Sequence, residues 1–277
     1  MRAAVLTGPG RVAVREQPVP EPGPGEVVVR VEGCGVCGSS LPFWEGRPWF
    51  SYPAEPGSPG HEVWGRTSDG RRVTGLSNHG FAELDVLRED ELVELPSALD
   101  DVPFPGEALG CAVNVVSRAD IRAGQEVAIV GMGFLGTTVA RLCELRGARV
   151  TPVRRGDEPA GEFLRVIEAA GTQAALDVAS RLVATAGFLV IAGFHQDGPR
   201  TVDLQSWNWR GLTVVNAHER DPQRYVEGMR EAVCLAAAGE LDVSELVTHR
   251  FELDELDAAF ESASRRGPGF VKAVVCP

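Results

Sequence analysis

Nothing in this sequence approaches the ~18 consecutive apolar residues that a helix needs to span a bilayer, since even FLVIAGF at 188–194 stops after seven. An excess of positive charge is also missing. Lys plus Arg number 27 against 39 Asp plus Glu, a formal net charge of −12, which argues against nucleic acid or an anionic membrane as the main partner and leaves a small molecule. The first residues, MRAAVLTGPGRVAVRE, alternate like a strand and a turn. They lack the apolar core and cleavage site of a secretory signal, so a cytoplasmic location is expected. Cysteine is scarce and scattered, at 34, 37, 111, 143, 234 and 276, too uneven for the disulfide framework of a small secreted domain.

What is present suffices for two domains or one large α/β unit, with 277 residues of which 44% are hydrophobic. Short alternating runs fill the amino-terminal third: AAVLT (3–7), RVAVRE (11–16), EVVVRVEG (26–33), EVWGRT (62–67), RRVTGL (71–76) and AELDVL (82–87). Punctuated by Gly and Pro, they predict an antiparallel barrel or sandwich. EALGCAVNVVSRA at 107–119 has helical spacing, and a boundary is expected close to the turn at 123–125. From 126 the pattern becomes strand, glycine turn, helix and strand, and the alternation continues to the helix near 225–239. Continuous apolar strands in that order predict a parallel sheet covered on both faces.

Gly131-Met-Gly133-Phe134-Leu135-Gly136 follows a predicted strand and opens a predicted helix. In that context the first glycine permits the tight turn, the second lets backbone approach a pyrophosphate, and the third lets helix and strand pack closely. The helix amides then receive the anion. The end of the next strand reads Val153-Arg154-Arg155-Gly, with no acid before Asp157 to bind a ribose hydroxyl. Two arginines suit a 2′-phosphate, so NADP(H) is favoured over NAD(H). A solvated loop would explain them equally simply.

Three segments supply candidate zinc ligands: Gly35-Val-Cys37-Gly-Ser39-Ser40, Gly60-His61-Glu62-Val63 and Glu107-Ala-Leu-Gly-Cys111. A Cys, a His and a Cys would leave one tetrahedral position open, the stoichiometry of a catalytic zinc. Each residue alone is weak, because a lone His is more often structural and a lone helical Cys is usually small apolar filler. Cys34 and Cys37 also match a redox CxxC, but they lie in an antiparallel setting rather than at a strand end that opens a helix.

The order GVCGSS, GHE, EALGC and VAIVGMGFLG, with IEAAG at 167–171, FLVIAGF and the closing GFVKAVV, resembles the zinc-containing medium-chain dehydrogenase/reductase family of alcohol, sorbitol and threonine dehydrogenases. The resemblance implies an α/β chain with a GroES-like β-barrel catalytic domain at 1–120 and 246–277. A shortened Rossmann doubly wound parallel sheet would occupy 121–245. It further implies zinc on Cys37, His61 and Cys111, Glu62 as an exchangeable carboxylate, Ser39 as the hydroxyl that relays the alcohol proton, and Glu107 as a lesser metal partner. Gly193 and Lys272 join Gly131, Gly133, Phe134, Leu135, Gly136, Arg154 and Arg155 as implied cofactor residues. The implied activity is hydride transfer between NADP(H) and a secondary alcohol or ketone by a homodimer, with FLVIAGF and Trp207-Asn-Trp209 as candidate contacts. The alternatives are a zinc-free quinone or enoyl reductase of the same superfamily and a non-catalytic NADP-binding protein.

Three features depart from that family. No CxxCxxC run exists for a second, structural zinc, so one ion per chain is expected. GDEPAGE after Arg155 leads straight into FLRVIEAAG, which leaves too few residues for a helix, strand and helix and predicts a lost sheet strand. Ser40 stands where an acid usually supports the metal-bound imidazole, which leaves His61 a less basic ligand unless another carboxylate or a carbonyl takes its place. Between the first two ligands, Phe43, Trp44, Trp49, Phe50 and Tyr52 either wall a pocket for a cyclic or bulky substrate or pack the barrel.

Overall fold

Alternating side chains make the first third of the chain a set of short strands: β1 (Arg2–Gly8), β2 (Arg11–Glu16), β3 (Glu26–Gly35), then helix α1 (Leu41–Glu45), β4 (Glu62–Thr67), β5 (Arg72–Thr74), β6 (Leu84–Arg88) and β7 (Val93–Glu94). The computed structural model describes every residue except Asp197. Helix α2 (Gly106–Arg118) leads into β8 (Glu126–Val130), α3 (Phe134–Leu145), β9 (Arg149–Val153), β10 (Phe163–Glu168), α4 (Gln173–Leu182), β11 (Val183–Ile191), α5 (Leu204–Trp209) and β12 (Thr213–Asn216). The chain closes with α6 (Pro222–Ala237), β13 (His249–Glu252), α7 (Leu256–Arg265) and β14 (Ala273–Cys276). Two units result, residues 1–110 with 225–277 and residues 111–224, where the sequence alone sets the divisions at 120/121 and 245/246.

In the first unit, β1 and β2 form an antiparallel hairpin. The larger sheet runs β13-β14-β3-β4-β5-β7, with β6 also on β3. Strand β3 is the hub. One edge takes β4 along Val29–Gly35, and the other takes β6 at Glu26–Arg30 and β14 at Cys34–Gly35. Its far end is therefore fixed from both sides, and the functional residues follow directly. Helix α7 buries Leu256, Ala259, Phe260 and Ala263, a spacing of i, i+3, i+4, i+7 that puts all four on one stripe. That stripe packs with Leu6, Val36, Leu41, Phe81 and Val275.

The second unit is a parallel sheet in the order β12-β11-β10-β8-β9. Ala128, Val166 and Leu189 meet Leu176, Ala179 and Leu182 of α4 in its core. After β9 the chain passes through 154–162 without a helix and re-enters the sheet beyond β8 as β10. Strand β9 is thus an edge, as the short GDEPAGE segment predicts. Pro152 lies in it, which an edge tolerates because a ladder donor is dispensable there. Among the described residues, no helix is long and apolar enough to cross a membrane.

Candidate functional site

Cys37, His61 and Glu62 offer ligand atoms within 4.8 Å of one another. Local chain geometry explains the meeting. Cys37 stands just beyond the end of β3, before a single 3-10 turn over Gly38–Ser40. His61 immediately precedes β4, and Glu62, its first residue, pairs across the sheet with Gly35. A Cβ on Gly35 would lie 1.8 Å from Glu62 Oε2, so only glycine leaves room for that carboxylate. Gly35 is a site residue that the motif contains but that sequence reasoning gives no role.

Hydrogen bonds fix the donors. His61 Nδ1 lies 2.9 Å from the Pro59 carbonyl, which can only accept, so Nδ1 donates and Nε2 is the nitrogen turned to the cluster. This carbonyl fills the place of the missing acid at Ser40, whose own Oγ also donates to it at 3.4 Å. Ser39 Oγ lies 3.1 Å from Cys37 Sγ and 3.4 Å from His61 Nε2. Glu62 is wholly buried, and its Oε1 accepts from Lys272 Nζ at 2.5 Å. Lys272, the only lysine of the chain, sits just before β14 with its peptide bound to Thr248. Burial opposes its charge, but Glu62, Cys37 and Glu107 hold its pKa above the ordinary value. Its structural place is beneath this cluster, which sequence reasoning does not anticipate.

The cluster is electrostatically hungry for a cation. Burial by itself would lower the His61 pKa, yet Cys37, Glu107 and Glu62 outweigh it and raise the value to about 10. Glu62 Oε2 is buried without a hydrogen-bond partner, an expensive state for a carboxylate oxygen. A cysteine sulfur, an imidazole nitrogen and an orphan carboxylate oxygen form a donor set that fits a zinc-type ion. Cys111 lies one helical turn beyond Glu107 on α2 and opens the second unit. The converging trio does not include it.

In the second unit the glycine turn has the form its sequence predicts. Gly131 adopts φ +101°, and a Cβ there would lie 2.7 Å from that of Ala170, in the turn after β10. One on Gly136 would lie 1.8 Å from the Gly131 carbonyl, so the third glycine lets α3 settle onto the turn. Gly133 is the N-cap of α3 and no side chain caps it, and the helix begins with half-buried Phe134 and Leu135. Arg154 and Arg155 are exposed just past β9. Asp157 folds back, its Oδ2 accepting from the Arg154 amide at 2.7 Å. Gly193 lies at the end of β11, close against Gly171.

The aromatic segment packs chiefly on itself and on the barrel. Phe43 stacks on Phe50 with centroids 4.6 Å apart, Tyr52 donates to the Phe43 carbonyl, and Trp44 stacks on Phe260 and donates to Asp257. Trp49 stays 58% exposed, the one ring left with a largely open face.

Residues 23–78 match the model of the alcohol dehydrogenase GroES-like domain. A Mycobacterium tuberculosis protein assigned as a zinc-binding alcohol dehydrogenase is 26% identical, covering 96% of this chain and 86% of its own length. That alignment runs over 340 positions against 277 residues here, so the relative carries segments that this chain does without. Sorbitol dehydrogenase of Gallus gallus is 24% identical, covering 99% of this chain and 96% of the relative. A Sinorhizobium meliloti chain, assigned as a zinc-binding dehydrogenase and solved with NADP bound, superposes with a TM-score of 0.83 at 25% identity, over 100% of this chain and 99% of that one. The architecture is a GroES-like domain joined to a shortened Rossmann parallel sheet.

Proposed function

We propose that this chain, which resembles the zinc-containing medium-chain dehydrogenases and reductases, is a zinc-dependent oxidoreductase that transfers a hydride between NADP(H) and a secondary alcohol or ketone. The observation that carries this reading is the convergence of Cys37, His61 and Glu62 around a buried carboxylate oxygen with no partner. Cys37 and His61 would hold the ion, with Cys111 as the third ligand that the family pattern supplies and Glu62 as the carboxylate able to exchange. When bound, the ion would supply Lewis-acid polarisation of the substrate oxygen, and the nicotinamide the hydride. Ser39 would pass the substrate proton, a role supported by the hydrogen-bond reach of its Oγ to both Cys37 and His61. Lys272 holds Glu62 in place, and the Pro59 carbonyl keeps the imidazole oriented.

The glycine turn at the start of α3, with no side chain capping Gly133, supports pyrophosphate binding, and Arg154 with Arg155 supports a 2′-phosphate and hence NADP(H) over NAD(H). Trp49 supports a cyclic or bulky substrate. A homodimer is part of the same reading, its contact at Trp207-Asn-Trp209, supported by Trp209 at 90% exposure; FLVIAGF, the other candidate, runs along β11 between β10 and β12 and offers no free edge. The test is NADPH oxidation with a panel of cyclic and open-chain ketones, with metal content measured in parallel. Turnover that rises and falls with bound zinc is expected, and full turnover in chelator-stripped protein would overturn the mechanism.

A further inference from the structure

Glu168 is the last residue of β10 and is wholly buried. Its Oε1 accepts from the amides of Ala170 at 2.8 Å and Gly171 at 2.7 Å. Its Oε2 lies 2.9 Å from His195 Nε2. On the other side of the same ring, Arg200 Nε donates to His195 Nδ1 at 2.9 Å, while Arg200 Nη2 donates to the Gly171 carbonyl at 3.1 Å. An acceptor at Nδ1 requires the hydrogen on Nε2, so the imidazole hands a hydrogen bond from the arginine on to the carboxylate. The chain Arg200–His195–Glu168 closes on Gly171 and locks the turn after β10 to the segment after β11. Gly193 belongs to the same lock, because a Cβ there would lie 2.1 Å from Gly171 N and 2.7 Å from Glu168 Oε2.

Its place in the sheet says what this lock serves. Ligands of an open parallel sheet lie beyond the carboxyl ends of the strands, where the strand order reverses. Here the chain departs from β8 to β9 on one side and continues as β10 and β11 on the other. In a dinucleotide fold the first half, β8 to β9, takes the adenosine, with its ribose at the end of β9. The ends of β10 and β11 therefore face the other mononucleotide. Between Gly193 and His195, Phe194 is 56% exposed, an apolar ring that suits a planar base. The geometry points to Glu168, His195 and Arg200 as a positioning relay that fixes the ends of β10 and β11 as the floor for the nicotinamide half. This inference rests on the dinucleotide reading above.

Because Glu168 keeps both backbone bonds when the ring is removed, His195 can be tested without dismantling the turn that abuts Gly131. The experiment titrates the full-length protein with NADPH and with 2′,5′-ADP, which carries the adenosine half alone. His195→Ala is expected to weaken NADPH about tenfold and leave 2′,5′-ADP within about twofold. His195→Gln, whose amide can donate to Glu168 and accept from Arg200, should restore NADPH binding. Arg200→Ala should follow His195→Ala and keeps the question open to decision if the latter fails to fold. The relay is overturned if these losses fall equally on both ligands, if NADPH binding is unchanged, or if His195→Gln rescues nothing. Wild-type protein that binds neither ligand would overturn the dinucleotide reading and the relay with it, an outcome distinguished by needing no variant.

Discussion

Glu62 and Glu168 are both wholly buried, one in each unit of the chain, and they are held in opposite ways. Glu168 has every oxygen engaged, by two backbone amides and a histidine ring. Glu62 has one oxygen on Lys272 and the other on nothing. A buried carboxylate that is fully hydrogen-bonded acts as a brace, whereas one left half-satisfied stores a cost that a cation can relieve. The difference separates scaffold from site.

The largest expected effect attacks the waiting side. Cys37→Ser removes the sulfur beside the orphan oxygen, so bound zinc should be lost and turnover should fall by more than about a hundredfold, beyond what losing a mere supporting group does. NADPH binding should persist, as fluorescence titration with parallel metal analysis would show; a metal-replete, active serine variant would contradict the contrast. Lys272→Met comes next. It strands Glu62 in the core with no counter-charge, and chemical denaturation should register a loss of about 3–5 kcal/mol. Glu62→Gln in the same chain should return most of it, and a loss under about 1 kcal/mol would mean that the pair does not hold the site.

Two glycines sharpen the comparison further. A methyl at Gly193 runs into backbone that the relay holds, while a methyl at Gly35 runs into the unpartnered tip of Glu62. Gly193→Ala should therefore cost about 2–3 kcal/mol and Gly35→Ala nearer 1 kcal/mol. Equal losses in denaturation midpoints at constant slope would say that the two carboxylates are equally rigid.

The parts legible in the sequence are those whose chemistry and backbone geometry lie within a few residues. The turn from Gly131 to Gly136 sits between strand and helix as expected. GVCG and GHE deliver Cys37, His61 and Glu62 to one place, and the missing helix, strand and helix after Arg155 leave β9 as the edge. What escapes is long-range. Lys272 meets Glu62 across 210 positions, and His195 meets Glu168 across 27, so no local pattern marks either pair. Helix α7 is a different case, since Leu256, Ala259, Phe260 and Ala263 carry a readable helical period that the sequence reading leaves unnamed. For the aromatic segment, composition cannot separate a pocket wall from barrel packing. The answer lies in how far each ring is covered, and only Trp49 of this segment stays largely exposed.

The smallest effect concerns another pair of groups left waiting. Among the described residues, the guanidinium of Arg154 has no hydrogen-bond partner, and the first acid after it, Asp157, spends an oxygen on the Arg154 amide. That acid is thereby drawn into the turn that a 2′-hydroxyl would need it to leave, while the two arginines remain exposed at the sheet edge. Strand β9 is the edge of its sheet, so on the proposed dinucleotide reading discrimination at its end would rest on charge. Arg154→Ala should weaken NADPH about tenfold, or about 1.4 kcal/mol, with Arg155 retaining part of the attraction. NADH should change far less, because a bare ribose offers no phosphate to pair. The ratio of the two dissociation constants is the quantity to measure, at fixed ionic strength since exposed charges are screened. Equal weakening of both cofactors would make the arginines a solvated loop and leave Asp157 as the ribose partner.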